Sequence, residues 1–299
     1  MNIILVGYGN IGQHYINGLL KIKNKKIKIY VTDTDYSKIK LLFSNFHSKI
    51  NKTIFYFKRI KEIPFDIDFC IICSTAKSRH IIIERIVKEK KVKFWILEKL
   101  ISNNLRNLKK INFLLKKSSV YINLPRGYDK KYQFLKKKNL KKIKIITTGG
   151  NWNIASNSIH HLYLLTWLTN QRINNIKLSF LKIYKTKRFG YNDFYGNIKA
   201  STVLGSQIKL VNHNKKIKFT TSIISKKKIY FINEHKGILK ENKKIVFSNC
   251  FNFQSMITNK IIMDIYNKKK TYLPKLSDIY ELHIQLLKYF KKIKLYNVT

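Results

Sequence analysis

The chain has 299 residues, 44% of them hydrophobic, with 18 Tyr and 18 Phe; that is room for two domains with real cores, and it excludes a disordered chain. A formal net charge of +46 suggests nucleic acid, but the excess comes from 54 lysines and only seven arginines, spread with Ile, Asn, Tyr and Phe along the whole chain as AT-rich coding would spread them. Arginine, the preferred reader of phosphate and base edges, is scarce, so no specific nucleic-acid partner is expected.

The first element is an apolar run of strand length, Asn2 to Val6, followed directly by Gly7-Tyr8-Gly9-Asn10-Ile11-Gly12. Gln13 to Lys21 reads as a helix with Ile16, Leu19 and Leu20 on one side, and Ile27 to Thr32 as a second strand that ends on Asp33. A lone G-x-G-x-x-G is weak, but here it sits inside a complete strand–loop–helix–strand unit with an acid about 20 residues on. Gly7 permits the tight turn, Gly9 lets a pyrophosphate approach the backbone, and Gly12 lets helix and strand pack closely. The helix N-terminus, with Asn10 and Ile11, offers free N–H groups to phosphates. Asp33 can accept both hydroxyls of an adenosine ribose and repels a 2′-phosphate, which favours NAD; Lys38, close by in sequence, leaves NADP open.

Asp35 is a candidate cap for a helix from Tyr36 to about Phe46, and Thr53 to Phe57 a third strand. Asp68 to Ser74 is nearly all apolar, as a strand buried on both faces of a parallel sheet should be. Cys70 and Cys73 lie in it as C-x-x-C, but residues three apart on a strand face opposite sides, so they read as structural thiols. A helix follows Thr75 and runs through Lys88; then come a strand from Lys93 to Leu97, a helix capped by Asn103 or Asn104, and a sixth strand from Val120 to Leu124. Strands alternating with helices predict a doubly wound parallel (Rossmann) sheet over 1–123. From Lys142 to about Asn249 strand-like segments dominate, among them Ile217–Thr221 and Ile229–Ile232, with one helix near Ile154–Thr169 and two closing helices near Ser255–Asn267 and Leu276–Phe290. The fold class is therefore α/β: the Rossmann domain, then an α+β domain over 124–299 with a mostly antiparallel open sheet. No basic leader and no run of 18 apolar residues occurs, so a cytoplasmic protein without a membrane partner is expected. With 15 acids and no H-E-x-x-H, no metal site is expected.

In open parallel sheets ligands bind at the carboxyl ends of the strands. Three groups fall there: the glycine loop, Ser74-Thr75, and Glu98-Lys99. A lysine at such a rim, beside apolar surface, can give or take the proton that accompanies hydride transfer at an alcohol or ketone. On the isolated helix, Ser156, His160, Tyr163 and Trp167 fall within an arc of roughly 60°. His160 is suited to proton transfer near neutral pH, whereas His161 points about 100° away and reads as structural.

These residues resemble the glucose–fructose oxidoreductase, inositol dehydrogenase and rhizopine catabolism family (Gfo/Idh/MocA) over essentially the whole chain. Thr75-Ala76-Lys77-Ser78-Arg79-His80 resembles its T-P-x-x-x-H, and Glu98-Lys99 its E-K-P. Asn151-Trp152-Asn153 with Asn157-Ser158-Ile159-His160 resembles the segment whose helix histidine faces the substrate, and Leu273-Pro274 with His283 the closing helix. The resemblance implies Lys99 as general acid/base, His160 as the group that orients or protonates the substrate oxygen, and Glu98 as a contact to the nicotinamide ribose. It also places His80 with Ser74 and Thr75 at the cofactor, and Asn157, Tyr163 and Trp152 at the substrate. It implies a sugar, polyol or sugar-nucleotide substrate, as expected in surface-polysaccharide pathways, and homo-oligomers formed through the open sheet.

Leu100 stands where the motif has Pro, and Ala76 replaces the earlier Pro. Tyr163 and Ser156 occupy positions where many members carry Asp, so both helix carboxylates are missing. The expected function is an NAD(P)-dependent oxidoreductase acting on CH–OH groups; the alternative is a catalytically weakened NAD(P)-binding regulatory protein of the same fold.

Overall fold

The computed structural model describes residues 1–23, 26–45, 53–226 and 228–298. The chain divides into two compact units, Met1–Asn123 with Phe253–Asp278, and Leu124–Asn252 with Ile279–Thr299. Residues 253–278, which the sequence pattern assigns to the second domain, thus fold with the first unit.

In the first unit, β1 (Asn2–Val6), β2 (Lys28–Thr32), β3 (Ile54–Tyr56), β4 (Asp66–Ile72), β5 (Lys91–Leu97) and β6 (Ser119–Ile122) form one sheet in the order β3-β2-β1-β4-β5-β6, every pair parallel. This is the doubly wound order, with its reversal point between β1 and β4. The two central strands are buried along most of their length: Ile3, Ile4 and Leu5 of β1, and Phe69, Cys70, Ile71 and Ile72 of β4, are fully covered. That burial is why both read as continuous apolar runs rather than alternating ones. Cys70 is buried, Cys73 lies just past the strand end and is half-buried, and both thiols are free.

Helices α1 (Asn10–Leu19), α2 (Tyr36–Asn45), α3 (Arg79–Glu89) and α4 (Leu105–Leu114) connect the strands. Asp35 accepts the backbone N–H of Ser37 at the start of α2, and Asn104 accepts that of Asn107 at the start of α4, at 3.1 and 2.8 Å. The predicted end of α2 at Phe46 lies outside the described residues. Gly18 of α1 lies against Thr258, so close that a Cβ on it would sit 2.5 Å from the threonine Cβ. Thr258 belongs to α7 (Gln254–Tyr266), whose Ile257, Ile261, Ile262 and Ile265 form a buried stripe. This packing, the Lys21 Nζ bond to the Ser255 carbonyl and the Ile122 N–H bond to Pro274 fix the 253–278 segment to the first unit.

The second unit holds an eight-stranded sheet in the order β14-β13-β12-β11-β7-β10-β9-β8. Its strands are β7 (Lys144–Gly150), β8 (Ile173–Lys185), β9 (Asn192–Thr202), β10 (Gln207–His213), β11 (Thr220–Ser225), β12 (Lys228–Asn233), β13 (Ile238–Glu241) and β14 (Lys244–Phe247). All neighbours are antiparallel except β7 and β10. The alternation is regular: Ile145 and Thr147 of β7, and Ile208, Leu210 and Asn212 of β10, face the covered side. The stretch predicted as a strand at Ile217–Thr221 enters the sheet only at Thr220, opposite Thr148. Before that the chain turns aside, with the Ile217 carbonyl accepting the Gly150 N–H at 3.1 Å and Phe219 lying against Trp152.

The helices of this unit are α5 (Lys130–Lys137), α6 (Ile154–Thr169) and α8 (Leu276–Lys292), the last starting within the first unit's final residues. The sequence pattern misses α5, whose KKYQFLKK offers only Tyr132 and Leu135 as buried apolar groups. Asp129 caps it, accepting the Lys131 N–H at 2.8 Å. No helix among the described residues is long and apolar enough to cross a membrane.

Candidate active site

In the first unit the candidate groups collect at the carboxyl ends of the parallel strands. The glycine loop follows β1, Asp33 follows β2, Ser74 and Thr75 follow β4, Glu98 and Lys99 follow β5, and Asn123 follows β6. Gly7 has φ +97°, and a Cβ there would press on the Cys73–Ser74 backbone at 3.1 Å, so the turn and the end of β4 are in contact. A Cβ on Gly12 would lie 2.1 Å from the Gly7 carbonyl oxygen; the loop closes onto its own helix. Gly9 is different. It has an ordinary φ of −75°, caps α1, and a Cβ on it would meet nothing within 4 Å. Gly9 and Asn10 are exposed and Ile11 is half-buried, so the loop crest and the first turn of α1 are open to a ligand.

Asp33 is part of the same loop. One carboxylate oxygen accepts the Tyr8 N–H at 2.6 Å, the other the Asp35 N–H at 2.8 Å, and Lys38 Nζ stands 3.8 Å from the second. Each oxygen keeps a further lone pair for a hydroxyl. Ser74 Oγ and His80 Nδ1 are buried and lack hydrogen-bond partners, a condition that a bound polar group at this edge would relieve. Thr75 Oγ1 lies 3.4 Å from Ser78 Oγ. An open glycine crest, a free helix N-terminus, an acid with lone pairs to spare and an unsatisfied hydroxyl together fit a dinucleotide.

Lys99 is half-buried, while its neighbours from Phe94 to Glu98 and from Leu100 to Ser102 are buried. The peptide between Lys99 and Leu100 is cis. Glu98, 8% exposed, points inward: its Oε1 accepts the Tyr15 hydroxyl at 3.2 Å and Asn123 Nδ2 at 2.6 Å. Asn123 Nδ2 also reaches Gln254 Oε1 at 3.0 Å, and Gln254 Nε2 reaches Thr258 Oγ1 at 3.0 Å. A chain of polar groups thus links α1, the β5 and β6 ends, and α7. Burial raises the Glu98 carboxyl against the pull of Asn123 and Arg79, and raises the Tyr15 phenol strongly, with the Glu98 charge adding to it. The bonds of Glu98 to Tyr15 and Asn123 both run through Oε1.

Sequence reasoning passed over Arg79. The residue is 1% exposed. Nη1 donates to the carbonyls of Glu98 at 2.6 Å, Ile101 at 3.0 Å and Leu100, and Nη2 to that of Ser74 at 2.5 Å. Burial lowers its pKa to about 10, the Glu98 charge opposing. The signal available in the sequence was its rarity, one arginine of seven in a lysine chain.

In the second unit, α6 is buried on most sides, and Asn157, His160, Tyr163 and Trp167 form its half-buried strip. Ser156, expected in that strip, is buried; Asn157 takes its place. Asn151 and Asn153 before the helix both have positive φ, 53° and 56°, a conformation asparagine tolerates. Trp152 between them is anchored: its Nε1–H donates to the Val211 carbonyl at 2.9 Å, and its ring meets His161 and Phe219. Asn157 Nδ2 donates to the Trp152 carbonyl at 2.8 Å. The buried carboxylate of Asp193 on β9 accepts the Ala155 N–H at 3.1 Å, placing a negative charge at the N-terminus of α6 that the helix sequence lacks. His161 is fully buried, with Thr147 Oγ1 3.3 Å from its Nδ1 and Arg126 Nη2 3.2 Å from its Nε2. Arg126 in turn forks onto Glu234, at 3.1 and 3.2 Å, and the Tyr132 hydroxyl donates to Glu234 at 2.5 Å. This cluster also went unnoticed in the sequence. Among the described residues no group of three or more His, Cys, Asp or Glu side chains could hold a metal ion.

A parallel sheet in 3-2-1-4-5-6 order with an open glycine loop defines a Rossmann-type unit, followed by a large open sheet. The whole chain shares this fold with solved structures of Gfo/Idh/MocA-type dehydrogenases, the family its sequence resembles. Scyllo-inositol dehydrogenase from Lactobacillus casei is 17% identical, with a TM-score of 0.69 over 98% of this chain and 96% of that one. UDP-N-acetylglucosamine 3-dehydrogenase GnnA from Acidithiobacillus ferrooxidans is 10% identical, with a TM-score of 0.72 over 98% and 96%. A super-repressor mutant of Gal80p from Saccharomyces cerevisiae is 12% identical, with a TM-score of 0.76 over 97% and 95%. No protein-family model and no curated protein matches the chain. At these identities the likeness establishes the fold.

Proposed function

We propose that this protein is an NAD(P)-dependent oxidoreductase acting on a CH–OH group of a sugar, polyol or sugar nucleotide. The observation that carries this reading is the coincidence, at one sheet edge, of an open glycine crest at Gly9 and a half-buried lysine, Lys99, in an otherwise buried run. When bound, the nicotinamide accepts or donates the hydride. Gly7, Gly9, Asn10, Ile11 and Gly12 would hold its pyrophosphate, Asp33 the adenosine ribose, and Ser74, Thr75 and His80 the remaining polar edge. Asp33 favours NAD. Lys99 takes the hydroxyl proton in oxidation and returns it in reduction. Glu98, bonded to Tyr15 and Asn123, holds the loop that carries Lys99.

His160 would orient or protonate the substrate oxygen, with Asn157 and Tyr163 as polar substrate contacts and Trp152 offering ring surface. Dehydrogenases of inositol and of UDP-N-acetylglucosamine among the structural relatives support a polyhydroxylated substrate, consistent with surface-polysaccharide chemistry in the cytoplasm. We also read the open sheet as the homo-oligomer interface. Its edge strand β8 exposes Phe180 and Leu181.

The second reading is a regulatory NAD(P)-binding protein, motivated by Tyr163 and Ser156 in place of helix carboxylates and by the likeness to Gal80p. One experiment separates the two: titrate NADH and NADPH by fluorescence, then assay NAD reduction across sugars, inositols and nucleotide sugars. Binding with turnover supports the enzyme, binding without turnover the regulator, and no binding at millimolar concentration overturns both.

A further inference from the structure

We propose that Arg79 is the positioning residue of the Lys99 loop: one buried guanidinium, bonded to the carbonyls on both sides of Lys99 and to the end of β4, sets where the lysine amine stands. The proposal rests on the reading of Lys99 as the acid/base.

The backbone states the need. Sheet pairing ends where the Glu98 N–H meets the Ile72 carbonyl and the Asn123 N–H meets the Leu97 carbonyl. Past that point the chain, apart from half-buried Lys99, stays buried through Ser102, so its carbonyls need donors that the strands no longer provide. Arg79 Nη1 supplies them to Glu98, Leu100 and Ile101, and Nη2 reaches across to Ser74, the residue beside the glycine turn. The same side chain therefore ties the candidate acid/base loop to the candidate cofactor loop.

The residue type carries a second argument. Burying a cation is costly, and this one is bonded to carbonyls, while the nearest carboxylate, Glu98, gives its Oε1 to Tyr15 and Asn123. A neutral donor could cap one carbonyl at less cost. The guanidinium places Nη1 at the Glu98, Leu100 and Ile101 carbonyls and Nη2 at that of Ser74, two nitrogens held rigidly in one plane; a lysine has a single nitrogen and cannot span both loops in this way. In a chain that uses lysine for 54 of its 61 basic residues, a buried arginine at this point meets that geometric demand.

The test uses Arg79→Gln and Arg79→Lys in the full chain, with four readouts: urea unfolding, NADH affinity by fluorescence, turnover, and acetylation of Lys99 by mass spectrometry with and without NADH. Exposed Lys77 on the same edge serves as the labelling control. We expect both variants to fold and to bind NADH within about threefold of wild type, with kcat about 100-fold lower and KM little changed, the scale of a misplacement near 1 Å. Lys99 labelling should change at least threefold and lose its protection by NADH, while Lys77 labelling stays constant. Unchanged kcat and unchanged Lys99 labelling would overturn the proposal. So would failure of both variants to fold, which makes Arg79 a folding staple. If the wild type turns over no substrate, the enzymatic reading fails, and Lys99 labelling still decides whether Arg79 sets the loop.

Discussion

The carboxylate of Asp33 accepts the backbone N–H of Tyr8 at 2.6 Å, so the acid that ends β2 also holds the glycine loop that follows β1. Its other oxygen, bonded to the Asp35 N–H, faces Lys38 at 3.8 Å. A ribose 2′-phosphate would bring like charge against this carboxylate, and Lys38 is already shared with Asp35 at 3.2 Å. We expect NADH to bind at least ~10-fold more tightly than NADPH, a difference of about 1.4 kcal/mol. Asp33→Ala should narrow that gap and weaken both, because the loop loses its anchor. Fluorescence titration of both nucleotides checks it; tighter NADPH binding in the wild type would contradict it.

The glycines separate two kinds of requirement. Gly9→Ala meets no atom within 4 Å and an allowed backbone, so stability should stay within about 0.5 kcal/mol while NADH affinity falls at least ~10-fold. Gly12→Ala collides with the Gly7 carbonyl at 2.1 Å and should cost about 2 kcal/mol or more in urea unfolding. A glycine-rich turn that binds nothing would leave Gly9→Ala indistinguishable from wild type in both measurements.

Tyr15 and Asn123 bind the same carboxylate oxygen of Glu98. Tyr15→Phe and Asn123→Ala should each cost about 1–3 kcal/mol, the range for a buried bond to a charged group. Because they share a partner, the double variant should depart from additivity by at least about 0.5 kcal/mol. Strict additivity in urea midpoints would show that Glu98 does not link them.

The legible and illegible parts divide along physical lines. The strands of the parallel sheet were readable because burial on both faces forces unbroken apolar runs such as Phe69 to Ile72, and the glycine loop because Gly7 and Gly12 stand where a Cβ would not fit. Helix α6 was readable to its ends. Helix α5 was not, since Tyr132, Phe134 and Leu135 among lysines carry too little period. The return of 253–278 to the first unit depends on Gly18 meeting Thr258, a contact between residues 240 apart that no local pattern reports. Ile217 to Phe219 alternates like a strand, yet pairing begins later because Gly150 and Trp152 occupy the edge. The candidate residues at the strand ends were found by motif, but the groups that hold them, Arg79, Tyr15 and Asn123, are joined only by folding.

The Arg126–Glu234–His161 cluster predicts a pH dependence. Burial would raise the Glu234 carboxyl, but Arg126, with His161 and Tyr132, brings it down to about 2. A carboxyl lowered on folding contributes stability that is present above its unfolded value and lost as pH falls toward about 2. His161 acts in the same sense: burial first, then Arg126, holds it well below the usual imidazole value, so the unfolded chain takes up its proton first on acidification. Urea midpoints should fall steadily below about pH 6. Glu234→Gln should cost about 2 kcal/mol at neutral pH and flatten the acid limb below about pH 4.5. An equally steep limb in the variant would contradict this.

The most direct test of the central claim is Lys99→Ala, measured for NADH affinity and for turnover on the substrate that the wild type accepts. The account predicts NADH binding within about threefold of wild type and kcat reduced by at least ~1000-fold, as for loss of a general acid/base. Turnover at the wild-type rate in Lys99→Ala would contradict it.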